Sequence, residues 1–314
     1  MLSHLYSHLC SLKLDVMKLF SFVLTYPIIW LLSRLPMPIL YLLSDVLYLL
    51  LYYIIGYRKE VVHNNLRIAF PEKSETEIIR IQKKFFQHFT DLTIESVKAF
   101  SVSASFIKKH YTYTNTALIQ RLEKEGRSIA LTGSHQANWE WSFGMTSITN
   151  MGCVAAYKKL QNPYFGKVIK KSRTKFGFIG YQTNEFTKNI LRRVQKKQQS
   201  LYILLSDQSP QVKKTKHWTT FLNTIVPVHT GAEILAKKHN FAVVNMSVTK
   251  IKRGYYNADF QLITETPAEF TDYEITEKYL ELTEAHIRKQ PAYYLWSHKR
   301  FKHKDRYPGK TTEK

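Results

Sequence analysis

Cysteine is almost absent from this chain: Cys10 and Cys153 are the only two among 314 residues. They lie in unlike contexts, so no disulfide framework is expected and a reducing cytoplasmic setting fits. Cys153 sits in the strand-like run Cys153–Val154–Ala155–Ala156 and reads as a buried bystander rather than a nucleophile. Acidic residues are also scarce. Asp and Glu number 24 against 46 Lys and Arg, a net charge of +22. That imbalance points to anionic partners: a membrane surface, phosphorylated substrates, an acidic carrier protein or nucleic acid. Internal repeats and low-complexity linkers are missing, as are Gly-x-x-x-x-Gly-Lys-(Ser/Thr), Gly-x-Gly-x-x-Gly and His-Glu-x-x-His. Ser134 is outside a Gly-x-Ser-x-Gly elbow, because Thr132 and Gln136 hold the glycine positions. Nucleotide-driven, zinc-protease and serine-hydrolase chemistries therefore lose support, and neither metal nor cofactor is expected.

No uncharged apolar run reaches the roughly 20 residues that span a bilayer. The N-terminus nevertheless carries two apolar stretches. Leu19 to Ser33 has no charge and is interrupted by Arg34 and Pro36; Val46 to Tyr57 ends at Arg58–Lys59. Val16 to Ser33, flanked by Lys13, Lys18 and Arg34, is long enough to span if those side chains snorkel. The second stretch is expected to lie in the interface or pack on the domain. A cleaved signal peptide and two buried soluble helices are the alternatives.

The rest of the chain, at 44% hydrophobic residues, has enough apolar mass for a sizeable core. Ser74–Glu75–Thr76–Glu77 is a capping box opening a helix in which Ile78, Ile81, Phe85, Phe89, Leu92 and Ile94 recur at core spacing. Asp91 and Glu95 on that helix read as a solvated face. Strands are expected at 128–132, 153–157, 200–206, 241–248 and 258–264, and helices at 164–175, 185–199, 230–238 and 272–289. This alternation predicts an α/β fold, a sheet with helices on both faces. In such sheets working groups gather beyond the carboxyl ends of strands, where His135 and Asp207 both fall. The domain reading is a helical, membrane-anchoring segment at 1–57, an α/β domain at 58–302 and a mobile basic tail at 303–314.

The most informative run is Leu131–Thr132–Gly133–Ser134–His135–Gln136–Ala137–Asn138–Trp139–Glu140. A strand enters a Gly-Ser turn, a histidine follows, and a glutamate comes five positions later. An imidazole near neutrality with a carboxylate to orient it makes a general base able to activate a hydroxyl. Residues five apart do not share a helix face, so His135 must sit in the turn with Glu140 just inside the helix for them to meet. Ser134 is the expected N-cap, and a capped structural helix start is the alternative.

These residues carry a resemblance. His135–Gln136–Ala137–Asn138–Trp139–Glu140 is similar to the His-x-Gly-Asn-Trp-Glu block of the bacterial lipid A late acyltransferases, the lauroyl/myristoyl family. Arg58 to Pro71 resembles the family's segment after its membrane helix. Asn162–Pro163–Tyr164 with Arg173 resembles its second block. Asp207–Gln208, Phe221, Thr230–Gly231 and Leu235–Ala236 resemble its third, and Tyr294 to Lys302 its aromatic-basic close. The likeness covers residues 15 to 302. Ala137 departs from the family's usual Gly; if that turn needs φ > 0, Ala carries strain of roughly 1 kcal/mol.

The resemblance implies a glycerolipid acyltransferase-like mixed sheet flanked by helices, with an N-terminal membrane helix, on the cytoplasmic face of the inner membrane. It implies transfer of an acyl chain from acyl carrier protein, or acyl-CoA, to a 3-hydroxyl on a lipid A precursor, a phosphorylated glycolipid. Membrane lipids are partners and nucleic acid is not. His135 and Glu140 are then the catalytic pair, and turn amides near Ser134 are candidate oxyanion donors. Asn138, Tyr157, Lys158, Arg173, Asp207 and Gln208 are the candidate substrate-binding residues. Arg173 is expected to fork a head-group phosphate or carboxylate, and Asp207–Gln208 to hold Arg173 or the acceptor. An acyltransferase for a lysophospholipid, aminolipid or other glycolipid, a basic nucleic-acid-binding protein, and a non-catalytic scaffold of the same fold remain as alternatives.

Overall fold

The computed structural model describes residues 2–308, with side chains from Asp15 onward. Cys10 and the end of the basic tail lie outside the described side chains and residues.

Two long apolar helices open the fold. Helix α1 (Leu2–Arg34) and helix α2 (Met37–Leu49), which runs on through a wide π turn at Leu50–Ile55, are long and apolar enough to cross a membrane. The second apolar stretch is thus longer than the sequence suggested, because Asp45 does not break its helix. Helix α3 (Lys59–Ala69) follows. The capping box then opens α4 (Glu75–Lys98): Glu77 N–H reaches the Ser74 hydroxyl, and the Glu77 carboxylate accepts from Ser74 N–H at 3.0 Å.

The α/β part runs α5 (Ala104–His110), β1 (Tyr111–Thr114), α6 (Thr116–Lys124), β2 (Ile129–Gly133), a 3-10 helix (Trp139–Ser147), β3 (Gly152–Tyr157), α7 (Pro163–Thr174), β4 (Ile179–Gln182), α8 (Phe186–Gln195) and β5 (Ser200–Leu205). A separate hairpin, β6 (His217–Phe221) and β7 (Thr224–Val228), leads to α9 (Gly231–His239), β8 (Ala242–Lys252), β9 (Tyr255–Thr264) and α10 (Glu274–Lys289). Seven strands form one sheet in the order β1-β9-β8-β2-β5-β3-β4. Only β8 and β9 pair antiparallel, so the sheet is mixed and mostly parallel. Both faces are covered. Along β2, β5 and β8 the side chains alternate: Ile129, Leu131, Leu201, Ile203 and Val244 enter one core cluster, while Ala130, Tyr202 and Val243 pack with Phe186, Ile190 and Ala236 on the other face. Such near-continuous apolar strands are what a two-sided parallel sheet requires.

The start of the basic tail is folded. Lys304–Arg306 makes a single 3-10 turn, and the Tyr307 ring lies 5.7 Å from Trp218 on β6. Buried Phe301 draws this segment onto the hairpin. Cys153 is fully buried, and burial, then the charge of Glu123, pushes its thiol up to about 12, so it is inert at neutral pH.

Candidate active site

Strand register assembles the centre. Strands β2 and β5 are parallel neighbours, with Ile129 opposite Leu201 and Gly133 opposite Leu205. Carried two residues beyond the sheet, that register sets His135 beside Asp207. The two meet twice. The Asp207 Oδ1 oxygen lies 2.7 Å from His135 Nδ1, and Oδ2 accepts the His135 backbone N–H at 3.1 Å. Asp207 is 1% exposed while the imidazole is 21% exposed. Burial on its own would depress the His135 pKa, but the Asp207 charge and hydrogen bond, with Glu140 adding to them, outweigh it and raise the value. Burial likewise pushes Asp207 up, and its bonds to His135 bring it below the usual carboxylate range. The ring's other nitrogen, Nε2, meets no hydrogen-bond partner among the described residues.

Glu140 holds a different partner. Its Oε2 accepts from Arg173 Nη2 on α7 at 2.6 Å. From sequence, Glu140 was expected to meet His135, and Asp207–Gln208 to hold Arg173 or the acceptor; in the structure Asp207 meets His135 and Glu140 meets Arg173. The cause is local. Ala137 takes φ 51°, and Asn138, not Ser134, caps the helix by accepting Trp141 N–H at 3.0 Å. The chain has therefore turned before the helix starts, and Glu140 projects toward α7. The anticipated strain at Ala137 is real, and the residue is fully buried.

The turn is fastened from several sides. Ala137 N–H donates to the Tyr293 carbonyl at 2.8 Å, Leu295 N–H to the His135 carbonyl at 3.0 Å, and Gln136 N–H to the Ser134 carbonyl at 2.9 Å. With His135 N–H on Asp207, the amides of His135, Gln136 and Ala137 are all engaged within the protein. Asn138, expected either to brace the turn or to touch substrate, is fully buried and braces the turn: its Nδ2 donates to Glu95 Oε2 at 2.7 Å.

Glu95 and Asp91 correct the solvated-face expectation. Both are buried, at 0% and 3% exposure. Glu95 also accepts from Tyr41 of α2 at 2.8 Å and Tyr256 of β9 at 2.7 Å. Burial raises its pKa to about 7, against the lowering effect of the Tyr256 and Tyr41 hydrogen bonds. His298 was not singled out by sequence beyond its place in the closing block. Burial first, with the charges of Arg300 and Lys302 added, lowers it to about 4, and its Nε2 accepts Ser209 N–H at 3.2 Å.

Beside the Arg173–Glu140 pair opens a cleft of about 320 Å³ between β3, β4 and α7. Ala155, Leu160, Ile169 and Phe178 supply its apolar lining; Lys158, Lys167, Lys170 and Arg173 stand on it as cations, with Tyr157. Between Met151 and Ser200 the single acidic residue is Glu185. Tyr157, Lys158 and Arg173 thus share one concavity, whereas Gln208 follows Asp207 half-buried at the end of β5.

Comparison with known proteins gives the same reading across the chain. The family model described as bacterial lipid A biosynthesis acyltransferase matches residues 10–303. A lipid A biosynthesis lauroyltransferase of Escherichia coli (strain K12) is 23% identical over 276 residues, covering 88% of this chain and 89% of the relative. A lipid A biosynthesis palmitoleoyltransferase of the same organism is 22% identical over 280 residues, as is a lipid A biosynthesis acyltransferase of Shigella flexneri, each covering 88% of this chain and 89% of the relative.

Proposed function

The chain belongs to the bacterial lipid A biosynthesis acyltransferase family, and from that premise we propose that it transfers a fatty acyl chain from acyl carrier protein to a hydroxyl on a lipid A precursor, with His135 as general base and Asp207 as the carboxylate that orients it. Membership in an enzyme family replaces the nucleic-acid-binding alternative. The observation that carries the mechanism is the double contact of Asp207 with His135 at the carboxyl edge of the sheet, with Nε2 meeting no partner among the described residues.

Asp207 fixes the tautomer with the proton on Nδ1. Nε2 takes the proton of the acceptor hydroxyl as its oxygen attacks the thioester carbonyl. The C–O bond forms, the C–S bond breaks, and the proton passes from the imidazolium to the leaving thiolate. General-base help of this kind is typically worth about 10²–10⁴-fold. The Glu140–Arg173 pair bounds the apolar cleft, whose size and lining suit an acyl chain and whose lysines suit phosphate. We place this reaction at the cytoplasmic face of the inner membrane.

Purified enzyme offered a tetra-acylated lipid A precursor and a panel of acyl carriers tests the reading by mass shift. A gain of one acyl group supports it. Acyl transfer to lysophospholipid, aminolipid or another glycolipid in place of the precursor overturns the acceptor, and acyl-CoA as the preferred donor overturns the carrier.

A further inference from the structure

We infer that His298 is a further catalytic group, its Nδ1–H donating a hydrogen bond to the carbonyl oxygen of the acyl thioester as negative charge develops there. This rests on the acyl transfer proposed above and assigns a role that the dyad leaves open.

The closing segment of the chain is tied to both members of the dyad. Leu295 N–H donates to the His135 carbonyl at 3.0 Å, and Gln136 pairs with Tyr294 in an isolated bridge. The Tyr294 hydroxyl donates to the Asp207 carbonyl at 3.4 Å, and Ser209, two residues beyond Asp207, donates its N–H to His298 Nε2 at 3.2 Å. His298 thus stands at the same carboxyl edge of the sheet as His135 and Asp207, and the charges of both act on its ring.

Ser209 decides the tautomer. A backbone N–H can only donate, so His298 Nε2 accepts and the ring's proton sits on Nδ1. That nitrogen meets no hydrogen-bond partner among the described residues, and the side chain is only partly buried. Burial first, then the charges of Arg300 and Lys302 against the opposing charge of Asp207, lowers the imidazole to about 4, so it is neutral at pH 7. A neutral imidazole with a fixed N–H polarises a carbonyl and keeps its proton.

The backbone around it is set in advance. His298 N–H donates to the Leu295 carbonyl at 3.1 Å, while its own carbonyl accepts from Arg300 N–H and from Asn65 Nδ2, each at 2.8 Å. The Ser209 hydroxyl donates to the Arg300 carbonyl at 2.6 Å. A donor placed before the charge forms needs no reorganisation when it does. The amides of His135, Gln136 and Ala137, by contrast, are engaged within the protein.

The electrons balance without any other reactant. The acceptor oxygen attacks the carbonyl carbon, the C=O π pair moves onto oxygen, and that oxyanion accepts the Nδ1–H hydrogen bond with no proton transfer. When C=O re-forms, the C–S bond breaks and the thiolate leaves. His298 ends as it began.

Two substitutions in the full chain separate the ring's two nitrogens. His298→Gln puts an amide oxygen near the Nε2 position, so it keeps the acceptor for Ser209 and loses the donor. His298→Asn puts an amide nitrogen near the Nδ1 position, so it keeps the donor and loses the acceptor. With acyl carrier protein thioester and lipid A precursor, His298→Gln is expected to melt like wild type yet lose about 10²–10³-fold in kcat, the range of one missing oxyanion donor. KM for both substrates is expected to stay within about threefold, because the bond forms only in the transition state. His298→Asn is expected to keep kcat within about tenfold of wild type. A purely structural role predicts the reverse order, so a Gln variant as active as the Asn variant, or more active, overturns the inference. Wild type with isotope-labelled histidine gives a readout free of substitution: a phosphonate analogue of the tetrahedral intermediate is expected to shift the His298 Nδ1 proton downfield, and an unmoved resonance overturns the inference. A wild type that transfers no acyl group to any lipid overturns the proposed function, and this inference with it. An active wild type matched by its Gln variant overturns this inference alone.

Discussion

His135 and Asp207 touch at two points, ring to carboxylate and backbone to carboxylate, at 2.7 and 3.1 Å. The aspartate therefore sets both where the imidazole stands and which nitrogen holds its proton. Glu140 does neither; it neutralises Arg173 at the cleft.

Asp207→Asn is expected to reduce kcat by about 10²–10⁴-fold, the range of a lost general base. Glu140→Gln is expected to act on KM more than on kcat. Steady-state transfer from acyl carrier protein measures both. A larger kcat loss at Glu140 than at Asp207 would restore the pairing first read from sequence.

The pH dependence follows from the raised His135 pKa. The base works neutral, so kcat/KM is expected to rise with pH along a limb centred above the ordinary 6.5, and Asp207→Asn should move that limb down. Fold stability runs the other way. The contribution of charged His135 is fully present below its unfolded pKa and is lost as pH rises through the raised folded value. Asp207, with a lowered pKa, contributes above 3.8 and loses that contribution as pH falls through the folded value. Melting curves of wild type and His135→Ala across pH 5–9 check the first sign.

Glu95 makes a separate prediction. Its folded pKa of about 7 stands above the ordinary 4.5, so its contribution is full below 4.5 and lost as pH rises through 7. The loss is roughly 3 kcal/mol at most. Glu95→Gln keeps hydrogen-bonding capacity without the charge and is expected to flatten the fall in melting temperature between pH 5 and 8. An unchanged slope would place the titration elsewhere.

Ala137 sits at φ 51° and is fully buried. Ala137→Gly is expected to change stability by less than about 1 kcal/mol, because relief of strain is offset by the freedom glycine gains when unfolded. Ala137→Val, β-branched at positive φ in a packed site, is expected to cost about 2–4 kcal/mol. Urea denaturation measures the pair.

Ala156 lines the apolar cleft from β3. Ala156→Leu is expected to shift acyl preference toward shorter chains in competition assays with mixed acyl donors. An unaltered preference would move the acyl chain out of this cleft.

Much of the α/β frame was legible because its central strands are apolar runs closed by polar turns: 128–132, 200–206 and 241–248 became β2, β5 and β8 with shifts of a few residues. Strands β1 and β4, four residues each, and the β6–β7 hairpin were not read. Short strands show too few alternations to stand out, and β1 exists through its pairing with β9, more than a hundred residues away. Both His135 and Asp207 were seen at strand ends, yet their partnership was missed. It depends on β5 rather than β3 lying next to β2, a fact of strand order that no local pattern contains. Asp91 and Glu95 misled for a related reason. Periodicity marked one apolar face of α4, while α2 and Tyr256 close over another.

The loop bearing His135 is fastened by Tyr293, Tyr294 and Leu295, from the far end of the polypeptide. Synthesis therefore delivers the reactive histidine long before the piece that locks it. A chain ended ahead of Tyr293 would carry both members of the dyad without the backbone contacts that hold their loop.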